Sequence, residues 1–246
     1  MHQDQIDWFE RWFGSPYYHI LYTHRDHTEA QIFVQHLLQY LKPAKGSKML
    51  DIACGEGRHS IQLAEQGFEV IGLDISAASI AKAKIFANEN ASFYVHDMRY
   101  AFYINYFDFS FNFFTSFGYF NTFKDHLLAA QSFANGLKKG GRLVIDYINM
   151  LPAIEKMVAN EIIERPTMQF RIERKMEDKH FLKNIYFTDT NGLERAYSER
   201  VAAFSLDEFI DLFHQVGLEF ESVFGDYHLG NYDAKISPRM IMIFKK

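Results

Sequence analysis

Asp51, Gly55, Gly57 and Asp74 are the residues whose types and spacing best suit chemistry in this chain. Asp51 stands near the end of an apolar run that begins at Met49, and after Ile52-Ala53 comes Cys54-Gly55-Glu56-Gly57-Arg58-His59-Ser60. Glycines in such a turn let backbone approach a ligand closely, because no Cβ stands in the way. A helix starting at Arg58 would aim its N-terminal amides at the same spot. Gly72-Leu73-Asp74-Ile75-Ser76 then ends a second apolar run in another carboxylate. A nucleotide-like ligand is expected at these strand ends, where open α/β sheets bind their ligands.

Two cofactor chemistries compete for that place. A dinucleotide site wants a third glycine, and Ser60 stands where it would be. Asp51 and Glu56 beside the turn also disfavour a pyrophosphate, because like charges repel. S-adenosylmethionine carries no phosphate, and its ammonium and sulfonium groups suit nearby carboxylates and carbonyls. Asp74, an ionised two-oxygen acceptor, can take both ribose hydroxyls. Asp97, in His96-Asp97-Met98 after the third strand, can accept from the adenine amine, with a plain turn aspartate as the alternative. The fourth strand ends in Asn112-Phe113-Phe114-Thr115-Ser116-Phe117-Gly118-Tyr119-Phe120, on the methyl-transfer side of such a cofactor.

The elements that must position these residues follow from periodicity and breakers. Residues 3–13 read as an aromatic amphipathic helix with Ile6, Phe9 and Phe13 on one face, stopped by Gly14-Ser15-Pro16. A second helix is expected over 26–41. Strands at 48–53, 68–74, 92–96, 108–114 and 142–148 alternate with helices at 58–66, 77–88 and 125–137, and Lys139-Gly140-Gly141 reads as a turn. That alternation implies a doubly wound, mostly parallel sheet with helices on both faces. After Met150 the rhythm changes: a helix over 151–158 precedes strand-like runs at 161–164, 169–176, 180–188 and 194–203. Asn191-Gly192 between the last two is a hairpin signal. Ser205 with Glu208 forms a capping box for a helix over 206–216, and strands at 219–224 and 239–244 close the chain. We therefore expect one domain over 1–246, with a helical lid (1–44), a cofactor-binding core (45–150), a small antiparallel insertion (151–203) and a C-terminal part (204–246).

Bulk composition narrows the function. A net charge of -5 disfavours a protein that tracks nucleic-acid phosphates. The single cysteine, Cys54, excludes an intrachain disulfide and the thiolate zinc sites, and no metal site is expected. No apolar run is long enough to span a bilayer, and Met1-His2-Gln3-Asp4 does not open a signal peptide, so a cytoplasmic protein without membrane contact is expected. Aromatic residues make up 17%, which suits either a ring-rich core or a pocket for an apolar substrate.

Taken in order, residues 50–58, 72–76, His96-Asp97, 107–120 and the run Leu137-Lys138-Lys139-Gly140-Gly141-Arg142-Leu143-Val144-Ile145-Asp146 resemble the class I S-adenosylmethionine-dependent methyltransferases. The likeness covers residues 45–150. Cys54 to His59, Phe114 to Phe120, Gly225-Asp226-Tyr227 and Ser237-Pro238-Arg239 are similar to a bacterial branch whose substrates are mostly unassigned. The resemblance implies a Rossmann-like, seven-stranded sheet with a reversed last strand. It also implies roles: Asp51, Gly55 and Gly57 toward the methionine portion, Asp74 toward the ribose, and Asp97 with Met98 toward the adenine, with Ala53, Arg58, Ile75, Asn112 and Phe113 as further cofactor-binding residues. S-adenosylhomocysteine would be the product.

The methyl acceptor is less legible. The Asn/Asp-Pro-Pro-aromatic motif of DNA amino-methyltransferases is missing after the fourth strand, and Cys54 is not a cytosine-C5 nucleophile, so a small molecule is expected and DNA is not. Protein or tRNA substrates rank lower. Transfer needs alignment and desolvation, and a base only where the nucleophile must lose a proton. Tyr17, Tyr119 and His126 are the catalytic candidates, with Tyr18, Tyr22, His24 and Arg25 in the lid. Arg25 suits a carboxylate of cofactor or substrate. Arg171, Arg174, Lys183 and Arg200 are expected on one strand face, either solvated or, if turned to the cleft, marking an anionic substrate. Asp226, Tyr227, His228 and Arg239 are further candidates for closing the pocket. A monomer or homodimer is expected. The rivals are a nicotinamide-dependent oxidoreductase and a non-catalytic S-adenosylmethionine-binding protein.

Overall fold

A computed structural model describes residues 7–22 and 27–246, apart from the side chain of His27. The chain begins with the short helices α1 (Trp8–Phe13) and α2 (Pro16–Leu21), then α3 (His27–Leu41). The α/β part runs β1 (Lys48–Ile52), α4 (Arg58–Glu65), β2 (Glu69–Asp74), α5 (Ala77–Ala83), β3 (Ala91–Val95), β4 (Phe107–Asn112), α6 (Phe123–Gly136) and β5 (Leu137–Ile148). After α7 (Met150–Glu155) come β6 (Asn160–Arg165), β7 (Met168–Glu177), β8 (His180–Thr188) and β9 (Glu194–Ala202). The chain closes with α8 (Leu206–His214), β10 (Glu219–Phe224) and β11 (Arg239–Lys245).

Alternate residues of a strand face opposite ways, and here both faces are apolar. Met49 of β1 joins one core with Val70, Phe111 and Ile243, covered by α3, α4 and α5. Leu50 and Ile52 join the other with Leu73, Ile145 and Met242, covered by α6 and α8. The seven strands lie in the order β10-β11-β5-β4-β1-β2-β3. All neighbours from β5 to β3 pair in parallel, while β11 runs antiparallel to both β5 and β10. The chain moves outward from β1 to β3 and then returns to β4 on the other side of β1. The carboxyl ends of β1 and β4 therefore flank the switch point, where a ligand crevice opens in such sheets.

The insertion forms a second, four-stranded antiparallel sheet in the order β6-β7-β8-β9. One face, with Phe170, Ile172, Ile185 and Phe187, packs on Trp12 and Leu21 of the first two helices. The four cations do not share a face. Arg174 pairs across from Lys183, and Lys183 from Glu199, on the side facing α1 and α2, whereas Arg171 and Arg200 stand opposite Tyr186 and Leu182 on the other side. Arg171 and Arg174 are an odd number of residues apart, so the strand period of two separates them.

Three local differences from the sequence expectation have tertiary or capping causes. Gly14-Ser15-Pro16 ends α1 but also starts α2: Ser15 Oγ accepts from the Tyr18 amide at 3.3 Å and Pro16 takes the first helical position. Lys139-Gly140-Gly141 lies inside β5, because the Gly140 amide donates to Lys246 O at 2.7 Å and the Lys246 amide donates to Gly141 O at 3.0 Å. α3 packs on α4 in the sheet's helical layer, so the part of the expected lid that stands apart from the sheet is 7–22. The capping box at α8 forms as read, with the Glu208 amide 3.2 Å from Ser205 Oγ and the Ser205 amide 2.9 Å from Glu208 Oε2.

Candidate cofactor and acceptor site

The turn after β1 needs its glycines for different reasons. Gly57 has φ +83, and a Cβ there would lie 2.7 Å from the Phe93 ring, so both conformation and space require glycine. Gly55 has φ +58 with nothing near the Cβ position, so only conformation requires it. The Cys54 amide donates to Leu73 O at 2.8 Å, fixing the turn beside the end of β2.

Asp74 organises both strand ends. Its Oδ2 accepts from the Gly55 amide and its Oδ1 from the Ser76 amide, each at 2.8 Å. Each oxygen keeps acceptor capacity toward the crevice, since a carboxylate oxygen has two lone pairs. Burial pushes its pKa up. Asp51 plays a different part. It is 1% exposed, accepts from Ser60 Oγ at 2.6 Å, and burial pushes its pKa up to about 7. Ser60, in the place of a third glycine, thus joins the end of β1 to the first turn of α4.

A cavity of about 750 Å³ opens at the switch point. Ala53, Gly55, Arg58, Asp74, Ile75, Asp97, Met98 and Phe113 line it, as does Tyr119. Opposite them stand Phe9, Phe13, Tyr18 and Tyr22 from the lid, with Phe120 from the β4 loop. The rings form a continuous wall, with Phe13 5.1 Å from Tyr119, 5.0 Å from Tyr18, and Phe9 5.8 Å from Phe120. Asp97 is at the cavity but engaged: the Arg99 amide and guanidinium both donate to it, the shortest contact being 2.6 Å. It is therefore a turn aspartate as well as a lining residue.

Other sequence candidates lie elsewhere. Asp51, buried in β1, and Gly57, within the turn, are not part of the cavity wall. Asn112 is buried behind it and donates from Nδ2 to Ile52 O at 3.0 Å. Tyr17 turns toward the insertion, where its hydroxyl donates to Asp189 Oδ2 at 3.1 Å and its ring meets Phe187. Asp226 accepts from the amides of His228 and Gly230 within its own turn, and Tyr227 and Arg239 bond Asp146 behind the β4 loop. His24 and Arg25 lie outside the described residues. Sequence reasoning missed His19 of the lid and Lys82 of α5, both bound to Glu56 Oε1, at 2.9 and 2.7 Å. Nothing in local pattern joins these three, because they come from the lid, the glycine turn and the helix after β2. Among the described residues no group of acids, histidines or cysteines could hold a metal ion, and no helix is long and apolar enough to cross a membrane.

His126, a catalytic candidate, is in the core. It is 3% exposed and ringed by Phe117, Phe120 and Phe204. Burial lowers its pKa from 6.5 to about 4, so the fold prefers the neutral ring. Between those two values the unfolded chain binds the extra proton, so stability is full above pH 6.5 and falls as pH drops toward 4. The loss amounts to about 3 kcal/mol. Asp51 acts in the opposite sense, its raised pKa removing stability as pH rises from 3.8 toward about 7. Urea unfolding of the wild type and His126→Leu at pH 7 and pH 5 separates the two. From pH 7 to pH 5 the change in stability is expected to be more favourable in the variant than in the wild type, and equal changes would refute the assignment.

Known proteins share this fold. The methyltransferase-domain family matches residues 43–197. YqeM of Bacillus subtilis strain 168, a protein named as a methyltransferase, is 48% identical over 59 residues, which are 23% of this chain and 24% of YqeM. The matched stretch thus spans about a quarter of that relative. A crystal structure of an S-adenosylmethionine-dependent methyltransferase from Clostridium acetobutylicum ATCC 824 superposes with a TM-score of 0.78 at 16% identity, covering 93% of this chain and 95% of that one. The sugar N-methyltransferase KedS8 from Streptoalloteichus sp ATCC 53650 gives 0.68 at 19% identity, covering 90% and 88%. The crevice at the switch point and the acids at its strand ends define a phosphate-free nucleoside-cofactor site on a doubly wound sheet. The chain belongs to the methyltransferase-domain family, the class I enzymes that use S-adenosylmethionine.

The site fits that cofactor. Asp74 lines the cavity with acceptor capacity beyond the two amides it receives, the Gly55 position has no Cβ to intrude, and the cavity volume lies within the ~300–1,000 Å³ range for ligand sites.

Proposed function

We propose that this protein transfers a methyl group from S-adenosylmethionine to a small-molecule acceptor held under the lid. The observation that carries the reading is that one cavity is lined both by Asp74 and Asp97 and by the aromatic rings of the lid. The likeness to KedS8, which acts on a sugar, agrees with it. In this reading Asp74 holds the ribose hydroxyls, Ile75, Asp97 and Met98 receive the adenine, and Ala53, Gly55 and Arg58 face the amino-acid tail. The bound cofactor supplies a methyl group already activated by its sulfonium. The chain supplies alignment and a dry site: Phe9, Phe13, Tyr18 and Phe120 exclude water from the acceptor, and Phe113 and Tyr119 fix its approach. Tyr119 is the retained candidate for touching the acceptor. Tyr17, Asn112 and His126 act through packing, and Asp51 and Gly57 through the shape of the turn.

Two measurements test this. Calorimetric titration with S-adenosylhomocysteine is expected to give saturable binding, whereas NAD gives none. Methyl-labelled S-adenosylmethionine, incubated with a cell extract with and without the protein, is expected to give a protein-dependent labelled low-mass compound distinct from the donor. Label confined to protein or RNA would overturn the acceptor class while leaving the cofactor standing.

A further inference from the structure

The loop after β4 carries backbone strain. Phe114 and Thr115, neither of them glycine, have φ +57 and +58, a left-handed pair that ordinary side chains avoid. Strain of this kind persists only where the surroundings over-determine it. Here the surroundings are one buried ion pair. Asp146, 1% exposed at the side chain, accepts from the Phe114 amide through Oδ2 at 2.8 Å, and its carbonyl accepts from the Thr115 amide at 2.8 Å. Arg239 donates to Asp146 Oδ1 from Nε at 2.7 Å and to Thr115 Oγ1 from Nη2 at 3.1 Å. The Ile148 amide donates to the same Thr115 oxygen at 2.9 Å, and the Tyr227 hydroxyl to Asp146 Oδ2 at 3.2 Å.

The result is a reversal of direction. Phe113, Phe114 and Ser116 line the cavity while Thr115 points back to the ion pair. Two guanidiniums each lie 5.7 Å from the Phe114 ring centroid, that of Arg239 and that of Arg58, itself a cavity residue. A buried ion pair is weak evidence for stability, because an apolar pair of the same volume commonly does as well. A task of orientation explains it better. Along the sheet the cavity runs from β3 and β2, with Asp97 and Asp74, to β1 and β4, with the glycine turn and this loop. An adenosine on the first two strands leaves the amino-acid tail for the last two.

We infer that Asp146 and Arg239 are a positioning pair that acts through Phe114 and Thr115 to hold the β4 loop against the cofactor's amino-acid tail, an inference that rests on the cofactor reading above. Neither residue is in the cavity wall. The test uses two ligands, S-adenosylhomocysteine and 5′-methylthioadenosine, which keeps the adenosine and thioether but has no tail. They are titrated into the wild type, Asp146→Asn and Thr115→Val. S-adenosylhomocysteine is expected to bind both variants at least tenfold more weakly, and 5′-methylthioadenosine to bind them within twofold of the wild type. General damage would weaken both ligands together. An equal loss for both ligands, or no loss in either folded variant, overturns the inference and leaves the cofactor reading intact. Should Asp146→Asn fail to fold, Thr115→Val decides, since it keeps the ion pair and removes only the hydroxyl. A wild type that binds neither ligand overturns both readings.

Discussion

Asp74→Ala is expected to weaken S-adenosylhomocysteine binding at least 100-fold, about 2.7 kcal/mol. The proposed ribose contacts are hydrogen bonds to an ionised group, worth about 1.5–3 kcal/mol apiece. Structure adds a second route to the same loss, because the carboxylate also receives the amides of Gly55 and Ser76. Without it the glycine turn loses its anchor to β2 at the point where the tail would lie. Asp74→Asn separates the routes. It keeps an oxygen for one amide but sets its NH₂ against the other, so an intermediate loss is expected. Calorimetry measures both, with thermal unfolding to show that the fold persists. Affinity within threefold of wild type in Asp74→Ala would sink the ribose assignment.

Glu199→Ala is expected to detach the lid. Glu199 Oε1 accepts from Trp12 Nε1 and from the Tyr22 hydroxyl, each at 2.7 Å, and its Oε2 lies 3.7 Å from Lys183 Nζ. Lys183 also donates to the Tyr22 hydroxyl. Glu199 and Lys183 are 15% and 10% exposed at their side chains, so removing the carboxylate takes the counter-charge from a largely buried ammonium and an acceptor from Trp12 Nε1 and the Tyr22 hydroxyl. Breaking one side of a buried pair costs about 3–5 kcal/mol. Here the cost cannot exceed what it takes to undock α1 and α2, since local opening relieves it. Trp8 and Trp12 are the chain's two tryptophans, and both sit in α1, so intrinsic fluorescence reports the lid alone. A red-shifted emission with an unchanged main unfolding transition is expected. Unshifted emission would mean that the aromatic contacts hold the lid without the network.

The β/α alternation, the cofactor turn and the two acids at the ends of β1 and β2 were all legible in the sequence. Their signals are local: period-two and helical patterns, glycines at a turn, and Ser205 with Glu208 as a cap. Those signals survive because the same residues set both conformation and burial. The β5 start was misread, since Gly140 and Gly141 extend the strand only when Lys246, a hundred residues away, pairs with them. The insertion cations were misplaced for a related reason. Composition shows alternation, but register decides which cation faces which strand.

The candidate site divides along the same line. What the chain binds is determined by residues close together in sequence, because a strand end and the helix after it form one local unit. Asp51, Gly55, Gly57 and Asp74 therefore announce a phosphate-free adenosyl cofactor without any tertiary information. What stands across from that cofactor is decided by docking. Only the fold brings Phe9, Tyr18 and His19 of the lid to the mouth of the crevice, buries His126 among phenylalanines, and sets the Asp51 carboxylate against the Ser60 hydroxyl. Those outcomes depend on contacts between residues tens to hundreds of positions apart, and a buried ring and a pocket ring look alike until the chain closes around them.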